Sequence, residues 1–346
     1  MRSGQRMDEN TNRKLRKIST NNSLLLILVI GVIKIVQILL KYLSEVGGYG
    51  SIWHNNNFIF IVQQVMIYLV TIPLLLLLYY KKLNKEIRFS SVFVKPQRSL
   101  GWIFKWSLIA LGVSKAFLLI INYLLMFFDI SGVTDTISLK SDTFGYSLYF
   151  ISIVIFGPIF EELLFRATIF RGMNDYGELY AAVMSGIMFG LWHQNVVQMF
   201  HAVVIGFIFS LIFAKCRSIH IVIIIHSFNN LLVFLNVISR NSVNDILHSK
   251  DLEFKIHALF VKNLIPTLIL ILTNILTYGM IIAGVILAIT EMVKHKGKIG
   301  LVDSVFQYTV IQKTIIFFSS PVTIITFAEM IYVVLASITV GSSANL

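Results

Sequence analysis

The 346-residue chain has little of several things that soluble proteins hold in quantity. Charged residues make up 13% of it, where a soluble chain carries about 25%. With 56% hydrophobic residues and a mean hydropathy of +0.80, that scarcity excludes both a soluble globular enzyme and a disordered protein. A single cysteine, Cys216, excludes a disulfide framework and a thiolate metal cluster. Five prolines exclude a Pro-rich linker protein. Acidic residues are few as well: 17 stand against 29 Lys and Arg, for a net charge of +12. In a soluble chain that balance would suggest nucleic acid, so the position of the charges must be found before they are interpreted.

What the chain does have is long apolar runs. A helix needs about 20 mostly apolar residues to cross the hydrocarbon core. Nine runs qualify: 23–43, 58–80, 102–128, 144–173, 179–193, 196–214, 219–238, 263–291 and 314–340. The fifth is short and meets the sixth without a visible break. The runs are continuous rather than alternating, which argues against a β-barrel. The first is too long for a signal-peptide core and no A-x-A-like site follows it, so it is expected to be an uncleaved anchor. The expected fold is all-α: a polytopic membrane bundle of eight or nine helices. It divides into a basic N-terminus (1–22), three N-terminal helices (23–143), a core (144–238) and a C-terminal part (239–346).

The charges follow the connections. Arg2, Arg6, Arg13, Lys14, Arg16 and Lys17 precede the first run, and seven Lys or Arg lie between Lys81 and Lys105. Connection 44–57 has none, and 129–143 has only Lys140 beside Asp129, Asp135 and Asp142. With the N-terminus cytoplasmic, the connections together with Lys105, Arg166 and Arg171 place 21 basic residues inside and 5 outside, as the positive-inside rule asks. The basic balance is thus explained by topology, and nucleic acid has no support as a partner. Stretch 81–100 is basic and mildly amphipathic, suited to the inner headgroups. The GYGS at 48–51 is a turn signal, since no Gly-Lys-Ser/Thr follows it.

Ionisable residues inside lipid are costly, so they pair, line a cavity or do chemistry. Lys34, Lys115 and Glu329 lie inside the first, third and last runs, with no opposite charge in the same run. Inward packing, pairing across helices or snorkelling accounts for them. The central runs differ. Residues 156–171 read FGPIFEELLFRATIFR. Arg166 follows Glu162 by four residues, so the two share one helix face. Glu161 points about 100° away, toward another neighbour. The arginine stabilises one carboxylate and leaves the other free to exchange protons, as a desolvated general base does. Phe189 and His193 lie one turn apart in FGLWH, and His226 and Asn230 share a face in HSFNN. His and Asn side chains on one stripe can donate hydrogen bonds to a developing oxyanion. Counted along the helices, Glu161, His193 and His226 lie about 18, 21 and 11 Å from the inner ends at 1.5 Å per residue. Helix tilt absorbs such differences, so one inner-half cavity can hold all three. His201 and Gln198 in the sixth run are expected to serve hydrogen bonding between helices, and Cys216 to be a buried thiol.

In these three motifs the chain resembles the CPBP family, the CAAX proteases and bacteriocin-processing proteins. The family patterns E-E-x-x-x-R, F-x-x-x-H and H-x-x-x-N stand here as Glu161 to Arg166, Phe189 to His193 and His226 to Asn230. They fall in order on successive hydrophobic helices, within about residues 144–236. The resemblance implies an intramembrane endopeptidase acting on a membrane-associated or lipid-modified peptide or protein. Glu161 would activate water and His193 would help to position it. His226 and Asn230 would form the oxyanion hole, with Glu162 and Arg166 supporting. No cofactor is required on this reading. The alternative is zinc on Glu161, His193 and His226, although H-E-x-x-H is absent. Two other classes compete: a non-proteolytic membrane scaffold on the same fold, and a transporter using Lys34, Lys115 and Glu329. The apolar composition with a basic first loop looks bacterial, and the bilayer of the cell membrane is the expected location.

Overall fold

In the computed structural model, residues 9–47, 53, 55–83, 89–128, 143–296 and 300–343 are described. Every regular element among them is helical. Eight helices are long and apolar enough to cross a membrane: α1 (Glu9–Val46), α2 (Asn57–Lys82), α3 (Leu100–Phe127), α4 (Phe144–Tyr176), α6 (Val196–Cys216), α7 (Ile219–Leu247), α8 (Leu264–Lys294) and α9 (Pro321–Ile338). A ninth, α5 (Glu178–Trp192), is shorter. At 15 residues it spans about 22 Å, less than the roughly 30 Å hydrocarbon core. The expected bundle of eight or nine helices is therefore present.

The break between the fifth and sixth runs, invisible in the hydropathy, is a tight turn. Gln194 takes a left-handed backbone (φ 52°). Asn195 then caps α6, its side chain accepting from Val197 N and Gln198 N at 3.0 and 3.1 Å. That turn lets α5 and α6 pack as an antiparallel hairpin. Two glycines one turn apart make the approach close. A Cβ on Gly186 would sit 2.9 Å from Phe207 N, and one on Gly190 would sit 2.7 Å from Met199 O. Small residues four apart are how membrane helices bring their backbones together.

Around this hairpin α4 and α7 pack on one side, and α3 with α8 on the other, while α9 joins α1 to α5 and α6. Helix α1 begins well before its apolar run. Residues 9–22, expected as a basic tail, continue the helix, and Ser19, Asn22 and Ser23 are buried. Polar contacts to α9 hold this part, Thr20 to Ser320 at 2.7 Å and Ser23 to Thr323 at 3.2 Å. Connection 239–262 is likewise mostly helical: α7 runs on to Leu247, and Asp251 caps a short helix, Leu252–His257.

The basic connections gather at one pole. Lys14 meets Asp175, Arg171 donates to Ser91, and Arg217 pairs with buried Glu178 at 2.5 Å. Gln97 N donates to Cys216 O, Lys215 donates to Gly300 O, and Lys313 donates to Tyr176 O. Burial holds the Lys313 ammonium below the usual lysine range, with Asp303 opposing that shift. Stretch 81–100 thus docks on the ends of α4 and α6 in its described part, 89–100; residues 84–88 lie outside the described residues. So do 48–51, with the GYGS turn, and 129–142, with Lys140 and its neighbouring aspartates. Cys216 is fully buried, as expected of an ordinary thiol. Lys34 and Glu329 pair with each other between α1 and α9, and Lys105 pairs with Glu291 between α3 and α8 at 2.8 Å.

Candidate active site

Helix α4 carries the two carboxylates, and its backbone is irregular on both sides of them. Residues Phe150–Phe156 and Leu163–Phe170 form wider π-type turns, in which a carbonyl bonds the amide five residues ahead. Gly157 N donates to Ser152 O in that manner. The next carbonyl, that of Ile153, would look to residue 158. That residue is Pro158, which has no N–H. The carbonyl would be orphaned in a low-dielectric interior, and Asn230 supplies the missing donor: its Nδ2 lies 2.9 Å from Ile153 O. The α4 irregularity and the α7 asparagine are thus one device, which fixes the two helices in register beside Glu161. Pairing with Ile153 takes one of the two Asn230 N–H groups, and Oδ1 accepts from Asn229 at 3.2 Å.

Glu162 is fully buried and meets two partners with one oxygen. Its Oε1 lies 3.0 Å from Arg166 Nη1 and 2.8 Å from His226 Nδ1. The expected Glu162–Arg166 pair is present. Arg166 is itself fully buried, and its other terminal nitrogen donates to Gly206 O at 3.0 Å. The guanidinium lies over the Phe189 ring at 4.5 Å and near the Phe209 ring at 5.5 Å. Cation–π attraction and the carboxylate together offset part of its desolvation. A Cβ at Gly206 would strike the Phe189 ring at 2.7 Å, so the glycine makes room for the ring beneath the arginine. Phe189 and Phe209 also flank His226, with ring centroids 5.8 and 5.5 Å away.

Glu161 does not turn toward a separate neighbour, as its position on the helical wheel suggests. Its Oε2 lies 3.7 Å from His226 Nε2. The two carboxylates, some 100° apart around the helix, reach the same imidazole because that ring presents a nitrogen on each edge. A carboxylate accepts and does not donate, so Nδ1 carries the proton toward Glu162. Nε2 of the same ring is the edge that faces Glu161. The 3.7 Å gap is too long for a direct hydrogen bond.

His193 ends α5. Its Nδ1 lies 2.8 Å from Phe189 O. A carbonyl only accepts, so this nitrogen also carries the proton and the neutral ring offers an Nε2 lone pair. The ring stacks edge-on against Phe189 at 4.9 Å and is close enough to Glu161 and His226 to feel their charges.

The structure therefore brings Glu161, Glu162, Arg166, His193 and His226 around one point, with Asn230 beside it on α7. Sequence reasoning missed Gly206 and Phe209; helix packing selects them, and no motif spacing marks them. Among the described residues no three His, Cys, Asp or Glu side chains are set to hold a metal ion.

Comparison with known proteins bears on this segment. Residues 143–232 match the family model of the Rce1-like type II CAAX prenyl endopeptidases. Over 103 residues, 30% of this chain and 41% of the relative, the sequence is 26% identical to the Bacillus subtilis (strain 168) protein named "Putative membrane peptidase YdiL". The chain thus spans about two fifths of the length of that relative. No solved structure matches. The matched segment holds α4 to the middle of α7, the helices that carry the three motifs, and over it this polytopic chain is similar to the type II CAAX prenyl endopeptidases.

Proposed function

We propose that the protein is an intramembrane endopeptidase that hydrolyses a peptide bond in a membrane-associated or lipid-modified peptide. The observation that supports this best is the chain Arg166–Glu162–His226 with Glu161 at its open end, built from two helices and sealed by a third.

Glu161 acts as general base. It takes a proton from a water molecule whose oxygen attacks the scissile carbonyl carbon. The His193 Nε2 lone pair accepts a hydrogen bond from the second O–H of the water and orients the attack; that proton stays on the oxygen until the product carboxyl releases it to solvent. A tetrahedral oxyanion forms. The free N–H of Asn230 and the protonated Nε2 of His226 donate to it, with Glu162 holding the ring through Nδ1. Glu161 then passes its proton to the leaving nitrogen, the C–N bond breaks, and a carboxylate and an amine depart. General acid–base action of this kind contributes about 10²–10⁴-fold, and oxyanion donors about 10²–10³-fold each. No step uses a metal ion. The basic pole faces the cytoplasm and the lipid bilayer of the cell membrane surrounds the bundle.

The test uses purified full-length protein in detergent with quenched peptides that end in an apolar or prenylated segment. Wild type cleaves, and cleavage persists after treatment with a zinc chelator. Glu161→Ala and His193→Ala do not cleave, yet melt with wild-type cooperativity. Cleavage that survives both substitutions contradicts the mechanism. Loss to the chelator with recovery on added zinc contradicts its metal-free form. A cellular phenotype that persists in both variants without cleavage favours the scaffold.

A further inference from the structure

A cavity lies on the face of α6 turned away from the carboxylates. Gly206 and Phe209 of α6 face Arg166 and His226; Phe207, Leu211 and Lys215 line the cavity between α6, α3 and α8. Its volume is about 550 Å³, within the roughly 300–1,000 Å³ of ligand-binding pockets. Its floor is closed where α3 and α8 touch: a Cβ on Gly112 would lie 2.8 Å from Gly284 Cα. Above that contact the walls are apolar, formed by Val113, Ile109, Trp106, Trp102 and Ala288.

The mouth is different. It opens at the basic pole, where α3 begins and α6 and α8 end, and it carries Arg98, Lys215 and His295. Glu291 also lines it, but Lys105 neutralises that carboxylate. Arg98 sits over the Trp102 ring at 5.6 Å, and Lys215 reaches the Gly300 carbonyl. No described carboxylate forms a salt bridge with either. From Leu100 to Val113 the α3 wall runs about 20 Å at 1.5 Å per residue, somewhat more than half of the roughly 30 Å hydrocarbon thickness. A deep apolar slot of one-leaflet length, with tryptophans near its rim and above them a net excess of cations that form no described salt bridge, has the polarity of an anionic amphiphile. Tryptophan belongs at that interfacial depth, and juxtamembrane cations attract anionic headgroups.

We propose that this cavity is a binding site for one anionic phospholipid of the bilayer, with an acyl chain between α3, α6 and α8 and the phosphate at Arg98 and Lys215. The site stands apart from the proposed peptidase centre and does not depend on that reading. A lipid here would brace the outer face of α6, whose inner face supports Arg166.

The test reads Trp102 and Trp106 directly. Full-length protein is placed in vesicles containing either brominated phosphatidylglycerol or brominated phosphatidylcholine. The quenching lost in Trp102→Phe/Trp106→Phe is taken as the signal. The proposal expects phosphatidylglycerol to quench at several-fold lower mole fraction than phosphatidylcholine. Arg98→Gln and Lys215→Gln each lower that preference about fivefold, the effect of about 1 kcal/mol per cation. Val113→Phe, which fills the slot and keeps the charges, reduces quenching by phosphatidylglycerol at unchanged melting temperature, and decides the matter if the charge variants do not fold. Equal quenching by the two lipids, a preference that survives the double charge variant, or full quenching in Val113→Phe overturns the proposal. So does displacement of the lipid signal by excess inorganic phosphate, which would mark a site for the free anion.

Discussion

At the scale of single residues, the site depends on what a carboxylate and an imidazole can exchange when water is scarce. Glu162 holds an arginine and a histidine with one oxygen, so its loss strands two groups at once. Glu162→Ala leaves Arg166 buried without its counter-charge and is expected to cost about 3–5 kcal/mol. A thermal melt in detergent measures this. Replacing both members, as Glu162→Leu with Arg166→Met, recovers most of that stability but no cleavage, because His226 loses its anchor. Wild-type stability in Glu162→Ala would show that the pair is idle. The pairing of Glu162 with Arg166 was legible in the sequence from spacing alone. The convergence of Glu161 and Glu162 on His226 was not, since a helical wheel separates the carboxylates and says nothing of a ring with two nitrogens arriving from another helix. Lys34 and Glu329 teach the same lesson. Neither has an opposite charge in its own run, and their pairing requires knowing that the first and last long helices are neighbours.

Among the helices, register is set by backbone irregularity more than by hydropathy. Pro158 removes a donor, Ile153 O is left over, and Asn230 fills the gap. This makes a coupled pair. Asn230→Ala is expected to cost about 1 kcal/mol or more by unsatisfying a buried carbonyl. In a Pro158→Ala background, which restores an N–H, the same change should cost less, and the difference in a double-mutant cycle measures the link. Additive effects would dissolve it. The α5–α6 hairpin is a second device of this kind. Gly190→Val has no room against Val203 and Met199, and is expected to lower the melting temperature and to shift His193 away from the site. Runs of apolar residues located α2, α3, α4, α6 and α8 to within a few residues. They parted at residues 194–195, where the Gln194 turn lies, but a two-residue turn inside an apolar stretch hardly changes a hydropathy average and so gave no clear mark of a break. Nor did they show that α1 and α7 continue past their apolar parts, where polar contacts to neighbouring helices replace lipid.

For the molecule as a whole, charge gathers at one pole while the chemistry lies within the bundle. The basic connections, far apart in sequence, meet at one end, which the alternation of basic and poor connections anticipates. Single cysteines introduced at Asn174 and at Ser249, in a Cys216→Ser background, test the sidedness in intact cells. Residue 249 is expected to react with an impermeant maleimide from outside and residue 174 only after lysis; the reverse pattern would invert the topology. The central claim is that Glu161 directs water onto a peptide bond, and isotope transfer reads this most directly. Purified protein and a quenched peptide are incubated in H₂¹⁸O, and the N-terminal product is weighed. The account predicts one ¹⁸O in the new carboxylate with wild type, and no labelled product above background with a folded Glu161→Gln. Labelled product formed by Glu161→Gln at the wild-type rate would contradict it.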